Sequence, residues 1–84
     1  MDIVDIIDEI RNYAIKTFDV EIDDDFTNDV NLFDYGYIDS MDATRVVLFL
    51  EENFKIEITQ RDIMLYPMNS INEIAAVVKS KLEK

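Results

Sequence analysis

A single glycine, Gly36, and a single proline, Pro67, leave this 84-residue chain few places to turn sharply. A many-stranded sheet needs a turn every several residues and draws on Gly, Pro and Asn for them. Long uninterrupted segments remain, so the chain reads as helices. Its length bounds it to one domain, residues 1–84. A chain this short buries roughly 60–65% of the surface its unfolded form exposes, which suffices for a module but not for a deep enclosed cleft. At 49% hydrophobic and 32% charged residues, it belongs with globular rather than disordered chains.

Ile3, Ile6, Ile7, Ile10 and Ala14 recur at helical spacing, with Asp2, Asp5, Asp8 and Glu9 between them. Acids at the start and Lys16 near the end suit the helix dipole. This predicts a first helix over about residues 2–16. Residues 17–39 hold no sustained period and read as a long loop pinned by Phe18, Val20, Ile22, Phe26, Leu32, Phe33 and Ile38. A loop of that length has a functional reason or hides a short helix. Its Asp23-Asp24-Asp25 triplet lacks the alternating order and central Gly of a calcium loop, so it reads as a solvated acidic turn.

Ser40 to Asn53 contains neither Gly nor Pro, and Ala43, Val46, Val47, Leu50 and Phe54 form a helical stripe within and just beyond it. Val46 to Leu50 alone would suit a buried strand; the uninterrupted length and the stripe decide for a second helix. Thr59 and Asp62 predict the cap of a short third helix over about residues 60–65, and Pro67 then breaks the chain. Ser70 and Glu73 predict a capping box. The last helix follows, with Ile71, Ile74, Ala75, Val78 and Leu82 on one face and Lys79, Lys81 and Lys84 toward its end. The expected fold is an all-α four-helix bundle: three long helices, one short helix, and a long loop between the first and second.

The chain has no Cys and no His. That excludes disulfides, thiolate nucleophiles, zinc held by Cys or His, and imidazole acid–base chemistry. The net charge of −11 repels nucleic acid and favours partners with basic surfaces. The whole excess lies in residues 1–42, which hold 13 acidic residues against Arg11 and Lys16; residues 43–84 are neutral. Solubility alone would be the blander meaning of such charge. No apolar run approaches a membrane span and no signal peptide opens the chain. A cytoplasmic monomer is expected.

The stretch Leu32-Phe33-Asp34-Tyr35-Gly36-Tyr37-Ile38-Asp39-Ser40-Met41 places an Asp-Ser pair where the second helix begins, after the long loop. Here the sequence resembles the acyl and peptidyl carrier protein family, over nearly the whole chain and including the Glu51-Glu52-Asn53-Phe54 end of the second helix. The resemblance implies that Ser40 is the attachment point of a 4'-phosphopantetheine arm. A phosphopantetheinyl transferase would move the arm from coenzyme A onto the hydroxyl. Its terminal thiol would then carry acyl or aminoacyl cargo as a thioester, with no catalysis by the chain itself. A hydroxyl at a helix start is exposed, and free backbone amides and the dipole favour a phosphate there. No His or Lys adjoins Ser40 to activate it, so activation falls to the transferase. Taken alone, Ser40 reads as an ordinary N-cap, or Asp39 is the cap and Ser40 the first helical residue. Asp39 matches the family's Asp, which orients the loop end and meets a basic transferase surface.

Met41, Thr44 and Leu48 fall on one side of the second helix, off its core stripe. They read either as a docking strip for partner enzymes or as residues partly covered by the long loop or third helix. With them, Asp42, Arg45, Glu51 and Glu52 complete the expected partner surface. Fatty-acid carriers present a run of acids there, which Arg45 interrupts, and Thr44 stands where an apolar residue is expected. The Leu-Phe-x-x-Gly-x-Ile-Asp-Ser form is closer to free-standing carriers such as the D-alanyl carrier proteins. The implied function is a carrier in a specialised lipid, polyketide or peptide pathway, served by a loading ligase or transferase and by downstream synthases. Two alternatives are an aminoacyl carrier loaded by an adenylating ligase, and an acidic helical interaction module with no prosthetic group. A carboxylate-based hydrolase has little support, because the acids fall on solvated faces with no pocket to raise their pKa values.

Overall fold

Isoleucines three and four apart put one continuous apolar side on the first helix, and the second and last helices add matching stripes to the same core. A computed structural model describes residues 2–20 and 24–83. Four helices occur there and no strand: α1 (Ile3–Phe18), α2 (Ser40–Phe54), α3 (Gln60–Leu65) and α4 (Ile71–Leu82). The expected all-α bundle of three long helices and one short one is present. Ile22, Asp23 and Lys84, singled out above, lie outside the described residues. Among the described residues, no helix is long and apolar enough to cross a membrane.

The core takes Ile6, Ile10 and Ala14 from α1, Val46, Leu50 and Phe54 from α2, and Ile71, Ile74, Ala75, Val77 and Val78 from α4. The remaining stripe residues Ile3, Ile7, Ala43 and Val47 are half-buried. On α4 the expected face needs a correction. Leu82 is exposed and Val77 is buried, because the buried face is broad in the middle of the helix and has ended before its last turn. α4 packs chiefly along α1 and more lightly on α2. An aromatic seam joins α1 to α2: Tyr13 stacks on Phe49 at 3.9 Å between centroids, and its hydroxyl donates to the Arg45 carbonyl at 3.2 Å.

The end of α1 differs from the expected one. α1 runs two residues past its predicted end and stops at Asp19 in the left-handed region (φ 53°); α2 stops the same way at Lys55 (φ 57°). Glycine is the residue best suited to that conformation. The chain's one glycine sits instead in the long loop, where Gly36 has φ +75° and an added Cβ would meet nothing within 4 Å. Backbone angle, not space, calls for glycine there.

The described part of the long loop holds turns but no α-helix. Its buried anchors are Phe26, Val30, Leu32 and Ile38; Val30 joins the predicted set, whereas Phe33 is exposed. Polar ties do the rest. The Arg11 guanidinium donates to the Asn28 side chain at 3.1 Å and to the Phe26 carbonyl at 2.9 Å, and lies 4.5 Å from the Phe26 ring centre. Leu32 donates its amide to Asn69 O at 2.8 Å, and Asn72 donates its own to Asn28 O at 3.0 Å. The loop is thereby sewn to α1 and to the start of α4.

Thr59 caps α3 as predicted, and Asp62 answers it to complete a reciprocal capping box. The predicted box at α4 is only half formed. The Ser70 hydroxyl accepts from Glu73 N at 3.1 Å, but the Glu73 carboxylate reaches one residue further back, to Asn69 N. Asp62 also accepts from Lys81 of α4 at 2.5 Å. That hydrogen bond, with the backbone amide of Thr59, lowers the Asp62 carboxyl from 3.8 to about 2. A depressed carboxyl stabilises the fold fully above its unfolded value. This contribution is lost only as the pH falls from 3.8 through about 2.

Candidate functional site

The long loop delivers the chain to α2 through Asp39, whose extended backbone (φ −118°, ψ −173°) makes it the N-cap. Its carboxylate accepts from Asp42 N at 2.9 Å, and the Asp42 carboxylate accepts from Asp39 N at 3.1 Å. This reciprocal box makes Ser40 the first helical residue. Of the two arrangements open to the sequence, Asp39 is the cap. Ser40 is exposed, and its hydroxyl makes no hydrogen bond among the described residues. The division of labour is measurable. Asp39→Ala should cost about 0.5–2 kcal/mol of stability in a urea titration, the usual cost of a lost cap. An Asp39→Ala chain as stable as the wild type would contradict the capping geometry.

The electrostatics of this helix start differ from a simple anion cradle. The first ladder bond runs from Ala43 N to Asp39 O at 2.9 Å, and Asp42 N is taken by the cap. Only the amides of Ser40 and Met41 remain to meet an anion, and the Asp39 and Asp42 carboxylates already answer the helix dipole. A phosphate placed on Ser40 would find two donors and two neighbouring carboxylates.

Around Ser40, α2 turns several of the predicted surface residues to solvent. Met41 is 75% exposed and Leu48 53% exposed; Thr44, Arg45 and Glu52 are exposed as well. Thr44 donates its hydroxyl to Ser40 O at 3.5 Å. Asp42 and Glu51 are half-buried and engaged inside the chain, Asp42 in the cap and Glu51 accepting from Ile58 N at 3.0 Å. Beside Thr44 opens a cavity of about 330 Å³, walled by Phe33 and Ile38 from the loop, Val47 from α2, and Ile63 and Tyr66 from α3 and its end. Sequence reasoning missed this cavity and the part of α3 in it. The signal was the run Ile63-Met64-Leu65-Tyr66, four large apolar residues with no stripe to place them.

Residues 4–78 match the family described as the phosphopantetheine attachment site. The chain belongs to that family. No curated protein matches the chain. A phosphopantetheine attachment domain bears a 4'-phosphopantetheine arm covalently on a serine, and such domains are non-catalytic carriers served by a modifying transferase and partner enzymes. The acyl or peptidyl carrier resemblance of the sequence is therefore correct. The chain has three serines, at positions 40, 70 and 80. Ser70 is buried, with its hydroxyl engaged as the cap of α4. Ser80 lies in α4, beyond the residues that match. Ser40 is exposed, unengaged and within the match.

Proposed function

We propose that Ser40 is the attachment serine and that the chain carries acyl or aminoacyl groups as thioesters between enzymes of a specialised lipid, polyketide or peptide pathway. The observation that carries this reading is that one serine in the matched region combines exposure, a free hydroxyl and a helix start. Its Oγ would take the phosphopantetheinyl group from coenzyme A with release of adenosine 3',5'-bisphosphate. The hydroxyl proton would pass to a base on the transferase, since the chain offers only Asp39 and Asp42 nearby. The arm supplies the thiol on which cargo is held. Asp39 fixes the helix start, the exposed Met41 gives a docking enzyme an apolar contact, and the outward-facing site leaves the arm free to reach. Exposed Arg45 supports a partner that is acidic or neutral at that point, unlike the basic surfaces that read a continuous acidic helix.

The test uses the absence of cysteine. Thiol titration of the bare chain should give no signal, and incubation with a broad-specificity transferase and coenzyme A should bring a single thiol per chain. A chain that gains none would overturn the reading. The acidic half also sets an expectation for recognition. Exposed charges more than about 10 Å apart are largely screened at 0.1 M salt, so transferase binding should weaken with salt, mainly through a slower association rate. Rates that stay constant between low and high salt would assign docking to Met41 and Leu48 instead.

A further inference from the structure

The two basic residues of the acidic half, Arg11 and Lys16, are used differently. Lys16 is exposed in the last turn of α1, whereas Arg11 is half-buried and turned to neutral groups of the long loop. Its guanidinium donates to the Asn28 side chain and to the Phe26 carbonyl, and it covers the Phe26 ring. Hydrogen bonds from a charged donor are about twice as strong as neutral ones. The planar guanidinium fork fixes direction as well as distance. A charge serving solubility alone would face water, as Lys16 does.

The grip extends beyond Phe26. Its buried ring meets the Tyr37 ring edge-on, with 5.0 Å between centroids and 69° between planes. Tyr35 lies nearly parallel to Tyr37 at 6.3 Å and is itself 65% exposed. These rings form a rack from the middle of α1 to the last turn of the loop. Two residues past Tyr37 stands Asp39, the cap of α2, and Ser40 follows. Within that turn, Tyr37 and Ile38 donate their amides to the same acceptor, Leu32 O, at 2.9 and 3.2 Å. Buried Ile38 ties the turn to the core, but apolar burial has no direction. Edge-to-face ring pairs do, so Phe26 sets the angle of Tyr37 as well as its place.

We infer that Arg11 is a positioning residue for the modification of Ser40: through Phe26 and Tyr37 it holds the loop end in the arrangement that a transferase recognises. The inference rests on the reading of Ser40 as the attachment serine. Loss of the guanidinium leaves the Asp39 cap and the Ser40 hydroxyl untouched. It lowers the fraction of chains whose loop end is in place, and apparent affinity falls by that fraction. Chemistry in the bound complex stays the same, so KM rises while kcat holds.

Transferase kinetics with coenzyme A, read as thiol gained, test this on wild type, Arg11→Met, Arg11→Lys, Tyr37→Leu and the Arg11→Met, Tyr37→Leu pair. Met keeps an apolar stem against Phe26 without the charge. Arg11→Met and Tyr37→Leu should each raise the KM for the chain about fivefold, with kcat within about twofold of wild type. Both act through one rack, so the double variant should be no worse than the poorer single one. Arg11→Lys, which keeps the charge but not the fork, should fall between Arg11→Met and wild type. Amide exchange on the bare chain gives a second reading. Arg11→Met should speed exchange at Tyr37 and Ile38 about tenfold, while Leu50 in α2 and Val78 in α4 change less than about twofold. An unchanged KM in Arg11→Met would overturn the inference, and so would a fully additive double variant or equal acceleration at Leu50 and Val78. A wild-type chain that gains no thiol would overturn the reading of Ser40 instead. Exchange at Tyr37 would then still decide whether Arg11 holds the loop end, and an unchanged rate there would sink that as well.

Discussion

A Ser40→Ala chain should fold like the wild type and accept no phosphopantetheine at all. The two halves of that result come from different features of one helix start. Folding survives because Asp39, not Ser40, makes the cap, and because Ser40 is exposed with an unengaged hydroxyl. Alanine is a good residue at a first helical position. A surface change of this kind stays within about 0.5 kcal/mol. Modification is lost because the substitution removes the one serine hydroxyl in the matched region that is exposed, unengaged and at a helix start. Ser70 cannot substitute while it is buried under its own cap, and Ser80 lies along α4 rather than at a helix start. Thermal denaturation and thiol titration on the same preparation read both halves. A Ser40→Ala chain that still gains a thiol would move the attachment elsewhere, and one that unfolds would show that Ser40 supports the fold.

The largest expected effect on stability comes from Leu50, two residues along α2 from exposed Leu48. Leu50 is 0% exposed and lies on the stripe that α2 turns to the core. Removing a buried leucine side chain loses its transfer free energy and leaves a cavity, together costing about 2–5 kcal/mol. A domain of this size has only about 4–13 kcal/mol to lose. The melting temperature of Leu50→Ala should fall by roughly 10–30 °C, at the several degrees per kcal/mol usual for small domains. Leu48→Ala should stay within about 0.5 kcal/mol of wild type. Equal losses from the two would mean that α2 does not face the core as described.

The stripes of α1, α2 and α4 could be read from the sequence because apolar spacing at three and four residues reports one buried face directly. The helix start at Asp39-Ser40 could be read because a polar pair closing a loop before an uninterrupted helix supplies its cap. Taken alone the pair says no more than that, and the attachment role of Ser40 rests on the family resemblance. The end of α1 was not legible, because it turns on Asp19 in a conformation that glycine usually marks. α2 ends at Phe54, as its Glu51-Glu52-Asn53-Phe54 segment predicts, although Lys55 takes the same conformation. Tyr13 and Phe49 were passed over because neither falls on a stripe, although their stacking joins α1 to α2. α3 was located by its cap, yet its role was hidden. Periodicity says nothing about six residues, and the decisive partner of Asp62 is Lys81, nineteen positions away. Glu51 is a milder case of the same limit. It read as partner surface, but its carboxylate holds the backbone at Ile58.

The central claim is that the arm of this carrier stands on Ser40 and nowhere else. The most direct measurement is fragment-ion mass spectrometry of the wild-type chain after incubation with transferase and coenzyme A. Every modified fragment should contain Ser40, and the added mass, one phosphopantetheine, should map to that residue. Added mass on a fragment that contains Ser70 or Ser80 but not Ser40 would contradict it.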